Sequence, residues 1–342
     1  MPNHSVARLN DTGSHTGADR GTIITSAKRT YLNKSLPARV GDTYVCPKHG
    51  VNAIRTGSSK VWVESRRLAR VGSKTWCGAT IDSGAHNVTD GSAETDPFLA
   101  PPGAFDVSCV VESMINEGWT HGARLMIEWM TRTANGDVAT AKPNTDIVTM
   151  DWVLSYPRAN EVYQNMFAAK IWMNEPAKAL ICKKLADDGL FNGSPSNFGT
   201  LALPAPELAP RHIQSRTVGY KWFEIADRLP PDDLQAALAD FELKMVVSGE
   251  VRPAEGGRNE VKIGAVGVFA EDQYEFGDSL AAPFQYLGSW SCSERRFSLL
   301  GTPIFNSDFR RWRKLAGLGG DYMVYSDVKI TDLDPDHNSF IC

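Results

Sequence analysis

One phrase occurs three times in this chain at a fixed interval. Ala7-Arg8-Leu9-Asn10-Asp11, Ala38-Arg39-Val40-Gly41-Asp42 and Ala69-Arg70-Val71-Gly72-Ser73 are spaced by 31 residues. His15, Cys46 and Cys77 recur at the same interval, so each copy carries a metal-capable side chain at one phase. A repeat of this length is one supersecondary unit that buries its apolar face only against its copies. Between the phrases, Gly41, Gly50, Gly57, Gly72, Gly78 and Gly84 punctuate short runs such as Ile23-Ile24 and Val61-Trp62-Val63. Glycine permits tight turns and β-branched residues suit pleated backbone. The pattern predicts short strands wound around an axis.

Three turns around such an axis bring residues 15, 46 and 77 together, and His49, three positions beyond Cys46, completes a set of four. Two His and two Cys are a donor set that zinc accepts in a closed tetrahedral site. A module of about ninety residues with few large apolar side chains has little core, which a metal staple offsets. A lone Cys or His in a glycine-rich β segment is usually filler or surface. The shared phase is what argues for ligation here.

At these residues the chain resembles the PAAR-repeat family, the conical tips of the bacterial type VI secretion spike. The resemblance rests on the Ala-Arg-x-Gly-Asp-like phrases, Cys46-Pro47-x-His49-Gly50, Gly57-Ser58, and Cys77-Gly78 with Ile81, over roughly residues 1–92. It implies a three-sided all-β cone with one zinc near its apex, seated on the trimeric valine-glycine-repeat spike protein. The expected ligands are His15, Cys46, His49 and Cys77. Family members vary the fourth ligand, which leaves His4 and His86 as competitors. Three departures stand out: Leu9-Asn10 in copy one, Ser73 for Asp in copy three, and the Arg66-Arg67-Leu68 entry, which lacks small residues.

At 342 residues the chain has room for about two domains. A net charge of −4 gives no electrostatic case for nucleic-acid or membrane partners, although a phosphodiester substrate stays open. No run approaches the ~20 apolar residues of a membrane-spanning helix. Met1-Pro2-Asn3-His4 lacks the basic and then apolar start of a signal peptide. The expected location is the cytoplasm of the producing bacterium, with loading on the spike and delivery into a target cell. Cysteines 46, 77, 109, 182, 292 and 342 show no disulfide-framework spacing, so the last four are expected to be reduced and mostly buried.

A polar and then proline-rich passage over residues 93–104 reads as a linker. It separates the module at 1–92 from an α+β domain over 105–342, helices first and sheet after. Helical spacing covers 105–116 and 123–133, the latter closed by the Asn135-Gly136-Asp137 turn, and then 160–173. Asn174-Glu175-Pro176 starts the next helix, which Gly189 stops. Residues 191–210 read as a long loop. Strands are expected over 242–251, 261–270, 284–290, 296–300 and 322–330, and Asn306-Ser307-Asp308 caps a short helix.

No Gly-x-Ser-x-Gly, His-Glu-x-x-His or phosphate-loop motif occurs. A Cys109–His121 pair has only residue type behind it. Phrases such as Glu271-Asp272-Gln273-Tyr274, Asn306-Ser307-Asp308-Phe309 and Tyr325-Ser326-Asp327 resemble an uncharacterised domain found behind PAAR modules, over roughly 148–332. That resemblance supplies context without chemistry. Glu271 and Asp272 end one expected strand and Asp327 lies in another, with Arg310, Arg311 and Arg313 on the helix between. If Asp272, Arg310 and Asp327 converge, the carboxylates suit metal or water positioning and the guanidinium opposes charge on a phosphoryl group. The plain alternative is solvated turns and a wet helix face. The reading is a spike tip carrying a C-terminal antibacterial effector, expected to be a hydrolase, with a cognate immunity protein as a second partner. The competing reading is a non-catalytic tip extension or adaptor that recruits another effector.

Overall fold

A computed structural model describes residues 3–15, 19–135, 137–219, 231–277 and 285–342. Gly136 of the expected turn and Phe284 at the start of an expected strand lie outside the described residues. The chain divides into two compact units, each assembled from separate stretches. The first comprises Met1–Val138, Pro230–Ala237 and Tyr274–Asp321; the second comprises Ala139–Leu229, Leu238–Gln273 and Tyr322–Cys342. In chain order the α-helices are α1 (Ser108–Asn116), α2 (Thr120–Thr131), α3 (Met150–Leu154), α4 (Pro157–Ala168), α5 (Glu175–Asp187), α6 (Ala205–Leu208), α7 (Asp233–Leu238) and α8 (Asn306–Ala316).

In the first unit the three phrases close a ring. Ala38 N donates to Ala7 O at 2.8 Å, Ala69 N to Ala38 O at 2.9 Å, and Ala7 N to Ala69 O at 3.1 Å. This cyclic trio marks the pseudo-threefold axis that the 31-residue interval requires. All three alanines are fully buried. Each copy then repeats one turn: Asn10, Gly41 and Gly72 N–H donate to the carbonyls of Ile23, Ile54 and Ile81. The isoleucine N–H groups return to the carbonyls of Asp11, Asp42 and Ser73. The isoleucines and alanines, with Tyr44, Cys46 and Ala79, form the small core. Asn10, Gly41 and Gly72 have φ of 68°, 84° and 97°. Asparagine tolerates left-handed backbone better than most side chains, so the Leu9-Asn10 departure leaves the turn intact.

Antiparallel strands spread from this ring in the order Gly50–Ala53, Thr43–Cys46, Arg20–Ile23, Thr12–Ser14 and Thr80–Ile81. In copies one and two the arginine holds the aspartate three residues on, Arg8–Asp11 at 3.1 Å and Arg39–Asp42 at 3.0 Å. Ser73 cannot take that role. Arg70, 2% exposed, turns instead to Asp90 at 3.0 Å and Glu94 at 2.8 Å. A guanidinium so deeply buried is costly unless paired, so the serine draws in later chain. Glu94–Thr95 accordingly forms a strand against Gly57–Ser58, and Asp96 pairs with Arg55 at 2.6 Å. Ordered pairing thus continues past Ser92 into the passage that reads as a linker.

Arg55 joins the repeat module to the helices that follow. Beyond Asp96, its guanidinium pairs with Glu112, donates to Ser108 Oγ at 3.2 Å and lies 4.7 Å over Trp76. Elsewhere in this unit the ring of Trp129 on α2 meets Phe276, Phe309 and Trp312, and Trp119 meets Trp290 and Phe297. Buried Asp321 accepts from Trp129 Nε1 at 2.8 Å and pairs with Arg313. A small sheet orders Arg296–Phe297, Tyr286–Ser291 and Thr302–Phe305.

The second unit holds α3 to α6 and a seven-stranded sheet. Its path runs Ser196–Phe198, Phe241–Pro253, Asn259–Tyr274 and Tyr322–Tyr325. Gln214–Val218 also pairs with Phe241–Pro253, and Lys329–Asp332 and Ser339–Ile341 pair with Asn259–Tyr274. Asn174 Oδ1 accepts Ala177 N at 2.9 Å, so the expected cap starts α5. Two readings are corrected. The supposed long loop over 191–210 contains a strand and α6. The cysteines expected to be reduced are paired as Cys109–Cys292 in the first unit and Cys182–Cys342 in the second. Separations of 183 and 160 residues leave no local spacing signature for either pair.

Candidate metal centre

Each of the four ligand candidates is delivered by a turn of the repeat module. His15 follows the strand Thr12–Ser14, and Cys46 ends the strand Thr43–Cys46. Cys46 pairs with Gly50, whose left-handed φ of 68° lets the chain double back and set His49 over Cys46. Cys77 lies in the turn before Thr80–Ile81, next to Gly78 at φ 86°. The four donor atoms all lie within 4.8 Å of one another. Cys46 Sγ is 3.4 Å from His15 Nε2 and 3.5 Å from His49 Nδ1. Cys77 Sγ is 3.6 Å from His15 Nε2, and the two imidazole nitrogens are 3.1 Å apart.

Zn–N and Zn–S bonds of about 2.0–2.3 Å set tetrahedral donors about 3.3–3.8 Å apart; three of the four separations above fall in that range and the two nitrogens lie slightly closer. Two sulfurs and two ring nitrogens turned toward one point crowd their lone pairs unless a cation lies between them. The residues fit a four-coordinate metal. Burial lowers the His49 pKa, with His15 and Lys48 adding to the effect, so the ring favours its neutral, ligating form. Burial raises the Cys77 thiol, and Thr75 Oγ1 lies 3.2 Å from its sulfur. A cation would offset that penalty on the thiolate. Beneath the cluster Tyr44 donates to Gly13 O at 2.7 Å and accepts from Gly21 N at 3.2 Å, fixing the hairpin that carries His15. Burial and the two thiol groups push the Tyr44 phenol up to about 12.

His4 and His86 lie outside this group of four. His4 forms a backbone pair with Asp90, and His86 is exposed. Neither takes the position left open by the resemblance.

The other named residues have different settings. Asp327, in the second unit, accepts Met150 N at 2.7 Å at the start of α3. Asp272 belongs to the second unit and the strand Asn259–Tyr274. Arg310 belongs to α8 in the first unit and donates to Gly277 O at 3.2 Å. Cys109 is held in its disulfide, and His121 Nδ1 lies 2.8 Å from Asp233, whose carboxylate also accepts the His121 and Gly122 N–H groups. Glu271, which the sequence places with Asp272 at a strand end, meets Lys244 at 2.5 Å and helps push the Tyr325 phenol up to about 12, burial being the larger cause.

A model of the PAAR motif matches residues 10–83. Repeat interval, closed ring and four-donor cluster agree with that match, which supports a type VI spike-tip protein whose partner is the valine-glycine-repeat spike. The chain belongs to the Family of unknown function (DUF6402), whose model matches residues 105–299 and 294–340. No curated protein matches the chain. Among the described residues no helix is long and apolar enough to cross a membrane.

Proposed function

We propose that this protein tips the type VI spike with a zinc-stapled repeat module and carries the family region behind it as cargo delivered into a target cell. The His15, Cys46, His49 and Cys77 cluster carries the reading, because closing it holds all three repeat copies at one point. In the first form of this proposal the cargo is an antibacterial effector with a cognate immunity protein. Asp272, Arg310 and Asp327 are then its charged catalytic groups, acting on a phosphodiester or envelope substrate.

One observation favours the second form, a non-catalytic tip extension or adaptor. Arg55 ties the repeat module to α1 within one compact unit, as befits a rigid platform. The test uses the full chain. Co-purification with its cognate trimeric spike, one copy per trimer, supports the tip; no complex refutes it. Expression in a susceptible bacterium, in cytoplasm and separately in periplasm, divides the two forms. Killing relieved by a neighbouring gene product supports the effector, and growth in both compartments supports the adaptor.

A further inference from the structure

The six cysteines fall into two sets. Cys46 and Cys77 face His15 and His49 in the metal cluster. The other four meet in pairs that neither the metal site nor the proposed catalytic groups use. Cys109 on α1 meets Cys292 with Cα atoms 5.3 Å apart, and Cys182 on α5 meets Cys342 with Cα atoms 5.6 Å apart. Both spacings are those of an ordinary disulfide. Each pair is internal to one compact unit, so each unit has its own covalent closure. Backbone bonds hold the second pair's end without help from sulfur: Cys342 N donates to Asn259 O at 2.8 Å, and Asn259 N donates to Cys342 O at 3.3 Å. Beside the first pair, Glu112 of α1 binds both Arg55 and Arg295, the latter at 3.0 Å. The geometry that aligns the sulfurs is therefore built by the fold, and the bonds lock it.

We infer that this chain completes its fold in an oxidising compartment, where Cys109–Cys292 and Cys182–Cys342 close as structural disulfides while the metal keeps Cys46 and Cys77 as thiolates. The inference rests on the delivery reading above. In a producing cytoplasm thiols stay reduced, and disulfides of this kind persist in a periplasm or outside the cell. The destination of the family region is accordingly the oxidising side of a membrane. The oxidant is a disulfide-bearing thiol oxidase or glutathione disulfide. A cysteine thiolate attacks the oxidant's disulfide, a mixed disulfide forms, and the partner thiolate displaces the reduced oxidant. Each pair gives up two electrons and two protons, one S–S bond forms, and the oxidant leaves as thiols. Metal loading comes first. With donor atoms within 4.8 Å of one another, an empty cluster would let Cys46 and Cys77 join in the exchange.

The experiment uses full-length chain purified from a reducing cytoplasm with zinc present, and then moved into a glutathione disulfide buffer. Alkylation with peptide mass mapping reads the thiols, and a thermal melt reads the fold. The expected result is linked peptides joining 109 to 292 and 182 to 342, with Cys46 and Cys77 alkylated only after chelation. Closing such long loops should raise the melting temperature by on the order of 10 °C. The Cys182→Ser/Cys342→Ser variant should keep its zinc and its first pair and lose part of that rise. Four thiols that stay reactive after oxidation of the folded chain would overturn the inference. So would scrambled pairing, or equal melting of the reduced and oxidised forms. Spike binding separates this inference from the reading beneath it. A chain that forms both bonds but binds no spike refutes delivery alone, and one that binds the spike but forms neither bond refutes the inference alone.

Discussion

The repeat module and the second unit solve the same problem by opposite means. In the module, contacts recur every 31 residues, the core is a few alanines and isoleucines, and four side chains converge for a metal. In the second unit a long sheet carries the core. There Leu201, Leu208, Val246, Phe269 and Tyr325 pack together, and Cys182–Cys342 closes a span of 160 residues. A small glycine-rich module cannot bury enough apolar area to hold itself, so a ligand cluster matters more to it than any one side chain. The second unit has a conventional core and should outlast the loss of metal.

That contrast can be broken most forcefully at the cluster. Replacing Cys46 and Cys77 together with Ser should release the metal and lower the module's melting by on the order of 10 °C or more, while the second unit's transition stays put. Calorimetry of the full chain resolves the two transitions, and a single transition that moves as a whole would refute the division. Next in size is Arg55→Met, which leaves Asp96 and Glu112 without their shared partner. Breaking a largely buried pair costs about 3–5 kcal/mol, so the first unit should weaken by that order in urea titration. An unchanged midpoint would remove Arg55 as the tie. Gly21→Ala comes third, since its Cβ would lie 2.3 Å from the Tyr44 hydroxyl. Overpacking of this kind costs about 1–3 kcal/mol and should also loosen His15, read as weaker metal retention against a chelator.

The smallest effect concerns pH. Glu64 is held at about 2 by the backbone N–H groups of Lys28, Arg29 and Thr30. Its folded pKa lies below the ordinary glutamate value of about 4.5, so its contribution is complete above about pH 4.5 and is lost as pH falls toward 2. Glu64→Gln should flatten that part of the acid-unfolding curve and leave neutral pH behaviour little changed. An identical acid limb in both proteins would contradict the assignment.

Much of the module was legible because a repeat announces itself. The interval fixed the ring of Ala7, Ala38 and Ala69, and the phase of His15, Cys46 and Cys77 pointed to the cluster. What the copies did not share was harder to read. Ser73 gave no sign that Arg70 would recruit Asp90 and Glu94 from the supposed linker, since that exchange depends on where later chain runs in space. In the family region local signals served well for α5 and for the long strands, where caps and alternation are short-range. They failed for the disulfides, which join α1 and α5 to chain 183 and 160 residues away, and for Glu271 with Lys244, which sheet register brings together from distant segments.

X-ray absorption at the zinc edge, with elemental analysis of the intact chain, tests the central claim most directly. The account predicts one zinc per chain with two nitrogen and two sulfur neighbours, at about 2.0–2.1 Å and about 2.3 Å. A well-folded chain that holds no metal, or a zinc surrounded by oxygen alone, would contradict it.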